Sequence, residues 1–298
     1  MTGNPDRPAA APQVSVVIPA LNAAGTLAVQ LAALGRQRTT RSFEVIVADN
    51  GSSDRTADVV ASFLNDVPGL RLVDASARTG SNVARNTGTA AARGDYVLLC
   101  DADDEVAEDW LEALAAGLDH ADAVGGRLER VKLNADYIAR FGQAWGQPGI
   151  TTQLGFLPRP IAANAGFRRS VWVELGGFRE DYVRGGTETE FYWRLQLAGH
   201  TLVDVPDAVV HYRLRASFRR SVRQMYIWGR QHPMLYRDFR DQGMRYDPRE
   251  PVHAWRWILL ELVPKVLRDR TLVVDLCRQV AYRIGRVVGS YRYRVVYL

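Results

Sequence analysis

Short apolar runs separated by amphipathic segments fill the first hundred residues of the chain. The runs are rich in Val, Ile and Leu, which is typical of strands buried on both faces of a parallel sheet. They cover residues 14–20, 43–48, 70–73 and 96–100. Between them, apolar residues recur at helical spacing, and Asn, Asp, Gly and Ser mark the turns. This alternation of strand and helix predicts an α/β fold with a mostly parallel central sheet flanked by helices.

The pattern is less regular in the middle of the chain. Residues 122–131 hold apolar residues around a Gly-Gly pair and predict a strand with a bend. Residues 137–157 have no clear period and predict a lid or an acceptor-binding loop. Residues 188–197 predict a helix, and residues 201–210 predict a pair of strands broken by Pro206.

From residue 211 onward the chain is predicted to be mostly helical and strongly basic. Residues 211–298 hold 19 Lys and Arg against 7 Asp and Glu, whereas residues 1–210 hold 19 against 26. Arginines alternate there with aromatic and aliphatic residues, which fits a helix lying on an anionic membrane surface. A helical cap on the sheet and a homodimer interface are the alternatives. Nucleic acid is not expected as a partner, because the sequence contains no known nucleic-acid-binding module.

The composition is that of a globular protein, with 47% hydrophobic residues in a chain of 298. No run approaches the roughly 20 apolar residues that a membrane-spanning helix needs. We expect a disordered leader over residues 1–13, one domain over 14–213 and a basic, mostly helical region over 214–298. Cys100 and Cys277 do not make a disulfide framework, which favours the cytoplasm. The membrane hypothesis would place the protein on the inner face of the cell membrane.

Three carboxylates follow the predicted strand at 96–100. Asp101, Asp103 and Asp104 lie within four residues. Open α/β sheets bind ligands at the carboxyl ends of their strands, so these oxygens are expected in a binding crevice. Carboxylate oxygens suit Mg²⁺ or Mn²⁺, which commonly bridge carboxylates to substrate phosphates. The alternative is a solvated acidic turn after a core strand.

Motifs of two common nucleotide-binding folds are absent from the sequence. Neither G-x-G-x-x-G nor a P-loop lysine motif follows the first strand, which argues against a dinucleotide-binding domain and a P-loop enzyme. The loops after successive strands carry Asn and Asp instead, whose side chains can hydrogen-bond a base and a ribose.

Three segments, VSVVIPALN, EVIVADNGSSDRT and ARNTGTAAARGDYVLLCDADDE, resemble family 2 glycosyltransferases with the GT-A fold. The resemblance covers residues 14–213. It implies an inverting, metal-dependent transfer of a sugar from a nucleoside diphosphate sugar to a hydroxyl of a glycan, lipid-linked or small-molecule acceptor. The donor-binding residues that we expect are Pro19, Asn22, Asp49, Asn50, Arg78, Arg85, Asn86, Asp101 and Ala102. Asp101 and Asp103 occupy the D-x-D positions for the divalent metal, and His211 resembles a third ligand found in some members.

Members of this family usually carry a Glu-Asp pair before a helix with Arg-Leu. Aligning on residues 194–195 places Thr187 where Glu is usual and Glu188 where Asp is usual. Glu188 keeps a carboxylate, and we predict that it is the general base for the acceptor hydroxyl. The alternative is that Glu188 and Glu190 only stabilise the positive N-terminus of the helix, and we favour that alternative for Glu190.

Two rival functions remain. A nucleotidyltransferase that makes nucleotide sugars would need a basic, Gly-rich loop after the first strand, and residues 19–25 hold no Lys or Arg. A non-catalytic nucleotide-sugar-binding module is the second rival, because the usual Glu-Asp pair is altered.

Overall fold

The structure is a computed structural model that describes residues 11–134, 149–183, 185–214 and 217–298. Its strands are β1 (Val14–Ala20), β2 (Phe43–Asp49), β3 (Arg71–Asp74), β4 (Tyr96–Leu99), β5 (Glu105–Val106), β6 (Ala123–Glu129), β7 (Thr151–Gln153), β8 (Leu157–Arg159), β9 (Ala165–Arg168) and β10 (Leu202–His211). Its helices are α1 (Leu27–Gly35), α2 (Thr56–Ser62), α3 (Ser81–Ala91), α4 (Trp110–His120), α5 (Arg169–Glu174), α6 (Thr187–Leu197), α7 (Phe218–Phe239), α8 (Glu250–Trp257), α9 (Val263–Arg268) and α10 (Val273–Tyr293), with a π-helix over Ile258–Leu262.

Eight strands form one central sheet in the order β3-β2-β1-β4-β9-β6-β10-β5. The first four are parallel, β9 is antiparallel to both its neighbours, and β6 and β10 are parallel. The predicted mostly parallel sheet flanked by helices is therefore confirmed. Because β1 to β4 are parallel, the loops that follow them meet at one edge of the sheet. That edge is where the functional residues were expected.

Residues on both faces of the central strands are buried, as their apolar runs predicted. Val16 and Ile18 pack on one face with α1 and α4, whereas Val17 packs on the other with Val97 and Phe191. An interior strand covered on both faces needs apolar residues at odd and even positions alike. This explains why these strands could be read from the sequence.

The prediction of two strands broken by Pro206 is wrong. β10 is one strand from Leu202 to His211 whose register against β6 shifts between Val205 and Val209. Proline has no N–H for the ladder, and a bulge takes it out of the paired register without ending the strand. The last part of the predicted irregular loop at 137–157 contains β7 and the first residue of β8, which pair as a hairpin, and residues 137–148 lie outside the described residues.

The C-terminal helices pack on the sheet domain and on each other. α7 and α10 cross where glycines bring the two backbones together. A Cβ on Gly229 would collide with the Tyr282 carbonyl, and one on Gly285 with the Tyr226 carbonyl. A buried cluster joins α7 to α6 and the hairpin through Tyr182, Trp193, Met234, Leu235 and Phe239. Among the described residues, none of the helices combines the length and the hydropathy needed to cross a membrane.

Candidate functional site

The carboxylates of Asp101, Asp103 and Asp104 form a cluster in the loop after β4. Each can offer an oxygen that lies within 4.8 Å of the other two. The Asp104 side chain is buried, and its Oδ1 accepts a hydrogen bond of 2.7 Å from the Arg213 backbone N–H. Its Oδ2 is buried without a hydrogen-bond partner among the described residues.

Negative charge is crowded in this cluster. Burial raises the pKa of Asp104 to about 9, and the charges of Asp101 and Asp103 add to that rise. A divalent cation would relieve the crowding. Hard oxygen donors are the ligands that Mg²⁺ and Mn²⁺ prefer, so the residues present fit such an ion.

Arg85 on α3 lies between the cluster and the start of α6. Its guanidinium is buried, with Nη2 3.9 Å from Asp101 Oδ1. Nη1 donates to Asn82 Oδ1 at 3.0 Å and to Thr187 Oγ1 at 3.4 Å. Asn82 in turn donates to the Thr187 carbonyl at 3.0 Å, which holds α3 and α6 together.

Glu188 lies in the first turn of α6 with both carboxylate oxygens engaged. Oε2 accepts a hydrogen bond of 2.6 Å from the Thr187 hydroxyl, and Oε1 accepts one of 3.1 Å from Arg159 Nη1. Burial would raise the pKa of Glu188, but the charges of Arg159 and Arg85 and the Thr187 hydroxyl outweigh it and lower that pKa. Glu188 is therefore an ionised carboxylate at neutral pH. A continuous line of contacts runs from it through Thr187 and Arg85 to Asp101.

Four expected donor-binding residues lie at the ends of β1 and β2. Asn22, in a left-handed conformation at φ 53°, accepts a hydrogen bond from the Ser53 N–H through Oδ1. Asp49 Oδ1 accepts from the Ser52 N–H. The Asn50 amide is buried and donates to the carbonyls of Ala75 and Arg78. These side chains shape the loops at the edge of the sheet. Pro19 lies in β1, and the buried Ala102 lies in the acidic loop. Neither side chain has a polar group, so these two residues offer only backbone polar groups at this edge.

Two other expected site residues have partners within the protein. Arg78 forms an ion pair with Glu180. Asn86 uses its amide to bind Phe178 and Glu180, which attaches α3 to the loop before α6. The roles of Arg78 and Asn86 in binding the donor stay predictions.

His211 lies at the end of β10. Its Nδ1 lies 2.8 Å from Glu129 Oε2, and within the described part of the chain it is not one of the groups in the acidic cluster. Its role as a metal ligand also stays a prediction.

Residues 15–176, more than half of the chain, match the family described as Glycosyl transferase family 2. The chain belongs to glycosyltransferase family 2. The resemblance drawn from its strand-end motifs is thereby confirmed, and so is its assignment as a glycosyltransferase.

Curated relatives of this glycosyltransferase come from archaea and bacteria. It is 26% identical to Glycosyltransferase AglE of Haloferax volcanii over 93% of its own length and 95% of the relative's. It is 32% identical to the uncharacterized glycosyltransferase YibD of Escherichia coli, over 57% of its own length and 49% of that protein. The chain thus spans nearly all of one relative and about half of the other.

Solved structures show the same fold for this glycosyltransferase. The mannosyltransferase PcManGT of Pyrobaculum calidifontis, in complex with GDP-Man and Mn²⁺, superposes with a TM-score of 0.67 at 21% identity, covering 95% of this chain and 88% of that one. S. aureus TarS 1-349, in complex with UDP, gives 0.56 at 19% identity, covering 96% and 93%. The fold is the GT-A fold.

Two residues of the candidate site, Arg159 and Asp104, are not assigned to it by the sequence. Arg159 pairs with Glu188 although it is 29 residues away, and no local pattern indicated the pairing. Asp104 was noted in the acidic run but not assigned as a ligand, although the structure places it with Asp101 and Asp103. Glu190, in contrast, is buried and bound to Arg194, which also donates to the carbonyls of Leu175 and Gly177. The stabilisation of the helix N-terminus that we favour for Glu190 stays a prediction.

Proposed function

We propose that this glycosyltransferase is metal-dependent and inverting. It would transfer one sugar from a nucleoside diphosphate sugar to a hydroxyl of a glycan, lipid-linked or small-molecule acceptor, acting in the cytoplasm. One observation carries the proposal. Contacts connect the Glu188 carboxylate through Thr187 and Arg85 to Asp101 in the acidic cluster, which supports a carboxylate base acting near a metal–diphosphate pair.

The acidic loop would hold the donor's diphosphate through a cation. Asp101 and Asp103 would bind Mg²⁺ or Mn²⁺, with Asp104 as the third carboxylate of the cluster. When bound, such a cation neutralises negative charge that develops on the leaving diphosphate. Arg85 adds a buried positive charge next to Asp101. This charge would further stabilise the negative charge on the leaving diphosphate.

Glu188 would take the proton of the acceptor hydroxyl. An ionised carboxylate is required for that role, and Arg159 and Arg85 keep Glu188 ionised. The acceptor oxygen would attack the sugar carbon from the face opposite the diphosphate, which inverts the configuration at that carbon. Oε1 and Oε2 of Glu188 each accept one side-chain hydrogen bond, so each oxygen keeps a lone pair that could accept one from the acceptor hydroxyl.

Replacing the base tests the proposal directly. In Glu188→Gln the amide cannot accept the acceptor's proton, so turnover should fall by about 100-fold or more while donor affinity is kept. Release of nucleoside diphosphate on mixing donor and acceptor measures turnover, and calorimetry measures donor affinity. Glu108→Gln, at an exposed glutamate, is the matched control. Near-normal turnover in Glu188→Gln would remove Glu188 from this role.

The metal is tested by a second variant. Asp103→Asn should abolish turnover and the dependence of donor binding on Mn²⁺, whereas Asp58→Asn, at an exposed position on α2, should leave both unchanged. Because the neighbours bind GDP-Man and UDP, thermal-shift screening of GDP-sugars and UDP-sugars with Mn²⁺ would select the donor. A chain that binds a donor yet releases no diphosphate with any acceptor would be the non-catalytic module instead.

A further inference from the structure

The helical segment from Glu250 to Arg268 presents large apolar side chains to solvent. α8, the π-helix and α9 follow one another without a break, and Ile258, Leu262 and Val266 face the protein. Side chains on the other side are uncovered. Their exposed fractions are 60% for Val252, 38% for Trp255, 61% for Leu259, 65% for Leu260 and 80% for Leu267. We call these five side chains the outer face.

An apolar surface of this kind is unusual on a globular protein. Single exposed apolar residues are common, but a row at helical spacing marks a binding surface. The outer-face residues lie at positions i, i+3, i+7, i+8 and i+15, so they follow one side of the helical segment. Within the described residues, more than half of Val252, Leu259, Leu260 and Leu267 is uncovered, and Trp255 is partly covered.

Basic side chains accompany the outer face. Arg256, Lys265, Arg268 and Arg270 are all exposed, and within the described residues none of the four lies in an ion pair. Three more exposed arginines, Arg219, Arg220 and Arg223, lie in the first turns of α7, and none of them forms an ion pair with another residue that the structure describes. The cations are thus free to meet an external anionic surface.

We propose that the outer face docks on an anionic lipid bilayer. Leucine, valine and tryptophan would enter the boundary between headgroups and acyl chains, and the neighbouring cations would contact lipid phosphates. Long basic side chains keep their charge in water while their stems cover apolar surface, which suits this depth. A protein partner would not require the exposed cations of this segment, which have no ion pair among the described residues. None of these residues belongs to the proposed sugar-transfer site, so the two proposals stand or fall separately.

Flotation of the full chain with vesicles tests the docking. The protein should float with vesicles of phosphatidylcholine that contain roughly 30% phosphatidylglycerol, and should float much less with pure phosphatidylcholine. Leu259→Ser combined with Leu260→Ser should lower the bound fraction by about tenfold. The matched control, Leu64→Ser combined with Val173→Ser, removes two apolar side chains of the sheet domain that are also more than half exposed, and it should bind normally.

A second pair of variants tests the charge. Arg256→Gln combined with Lys265→Gln should weaken binding to anionic vesicles and reduce its sensitivity to salt. The leucine double variant and the Arg256/Lys265 double variant replace only exposed side chains, so their melting temperatures should match that of the wild type. Wild-type protein that fails to float, or floats equally well with the leucines replaced, overturns the proposal. The outer face would instead bind a second copy of the chain if the protein forms a concentration-dependent dimer and does not bind vesicles. In that case Leu259→Ser combined with Leu260→Ser should dissociate the dimer.

Discussion

Glu188 is held by two positive charges, and these would determine its strength as a base in the proposed reaction. Arg159 donates to one carboxylate oxygen, and Arg85 lies on the other side, beyond the Thr187 hydroxyl. A base with a lowered pKa is always ionised at neutral pH but attracts a proton weakly. The two arginines therefore lower the proton affinity of the Glu188 carboxylate, and they keep it charged and fixed in orientation.

Removing the Arg159 charge should shift the pH dependence of the reaction. The pKa of Glu188 is lowered in part by Arg159, so Arg159→Gln should raise it. Since the proposed mechanism needs ionised Glu188, the acid limb of kcat/KM should move to higher pH in Arg159→Gln. Arg159→Lys keeps the charge and should stay close to the wild type. A lower rate with an unmoved acid limb would show that Arg159 only supports the hairpin, where it also binds Gln153.

Asp104 should make the metal's effect on stability depend on pH. Its pKa in the folded state is raised to about 9, so its contribution to stability is full at acid pH and is lost as the pH rises toward that value. A cation would offset this loss. We expect Mn²⁺ to raise the melting temperature more at about pH 8 than at about pH 5.

Asp104→Asn is the control for this effect. The amide keeps an oxygen for the Arg213 N–H but carries no charge. Without metal, the variant should gain stability over the wild type as the pH rises, measured by thermal melting. A difference in melting temperature between Asp104→Asn and the wild type that stays constant as the pH rises would contradict the raised pKa of Asp104.

At the level of secondary structure, strands buried on both faces were easy to predict, and so was the edge where their loops meet. Asp49, Asp101 and Asp103 could be placed there because β1 to β4 are parallel. β10 was mispredicted because proline was given more weight than a bulge that accommodates it. Arg159 could not be found, since its contact with Glu188 depends on how a short hairpin packs on α6.

The crossing of α7 and α10 depends on glycine at the contact. Gly285→Ala would push a methyl group against the Tyr226 carbonyl, so the two helices would have to separate. We expect a loss of about 1–3 kcal/mol in the free energy of unfolding, more than the gain in helix propensity. Urea denaturation measures it. Gly25→Ala is the control, because nothing lies within 4 Å of its new methyl. Equal stability of both variants would contradict close backbone packing at this crossing.

At the level of the whole molecule, the basic C-terminal region and the sheet domain share a core. Leu235 and Phe239 on α7 pack with Tyr182, which precedes α6, and with Trp193, which lies within α6. A Cβ on Gly185 would approach the Trp228 ring to 3.0 Å, so α7 also lies against the turn before Glu188. The boundary expected at 213/214 therefore separates regions of different charge that are joined by a common apolar cluster.

This shared core predicts that the chain unfolds as one unit. Calorimetric and van't Hoff enthalpies should agree, and one midpoint should describe both tryptophan fluorescence and helical circular dichroism. Leu235→Ala removes a fully buried side chain from the cluster and should lower that single midpoint, at a cost of about 2–5 kcal/mol. Leu267→Ala, at a side chain that is 80% exposed, should leave it unchanged. Two separate transitions, of which Leu235→Ala moves only one, would mean that the basic region folds independently. The helices beside Glu188 could then detach without unfolding the site.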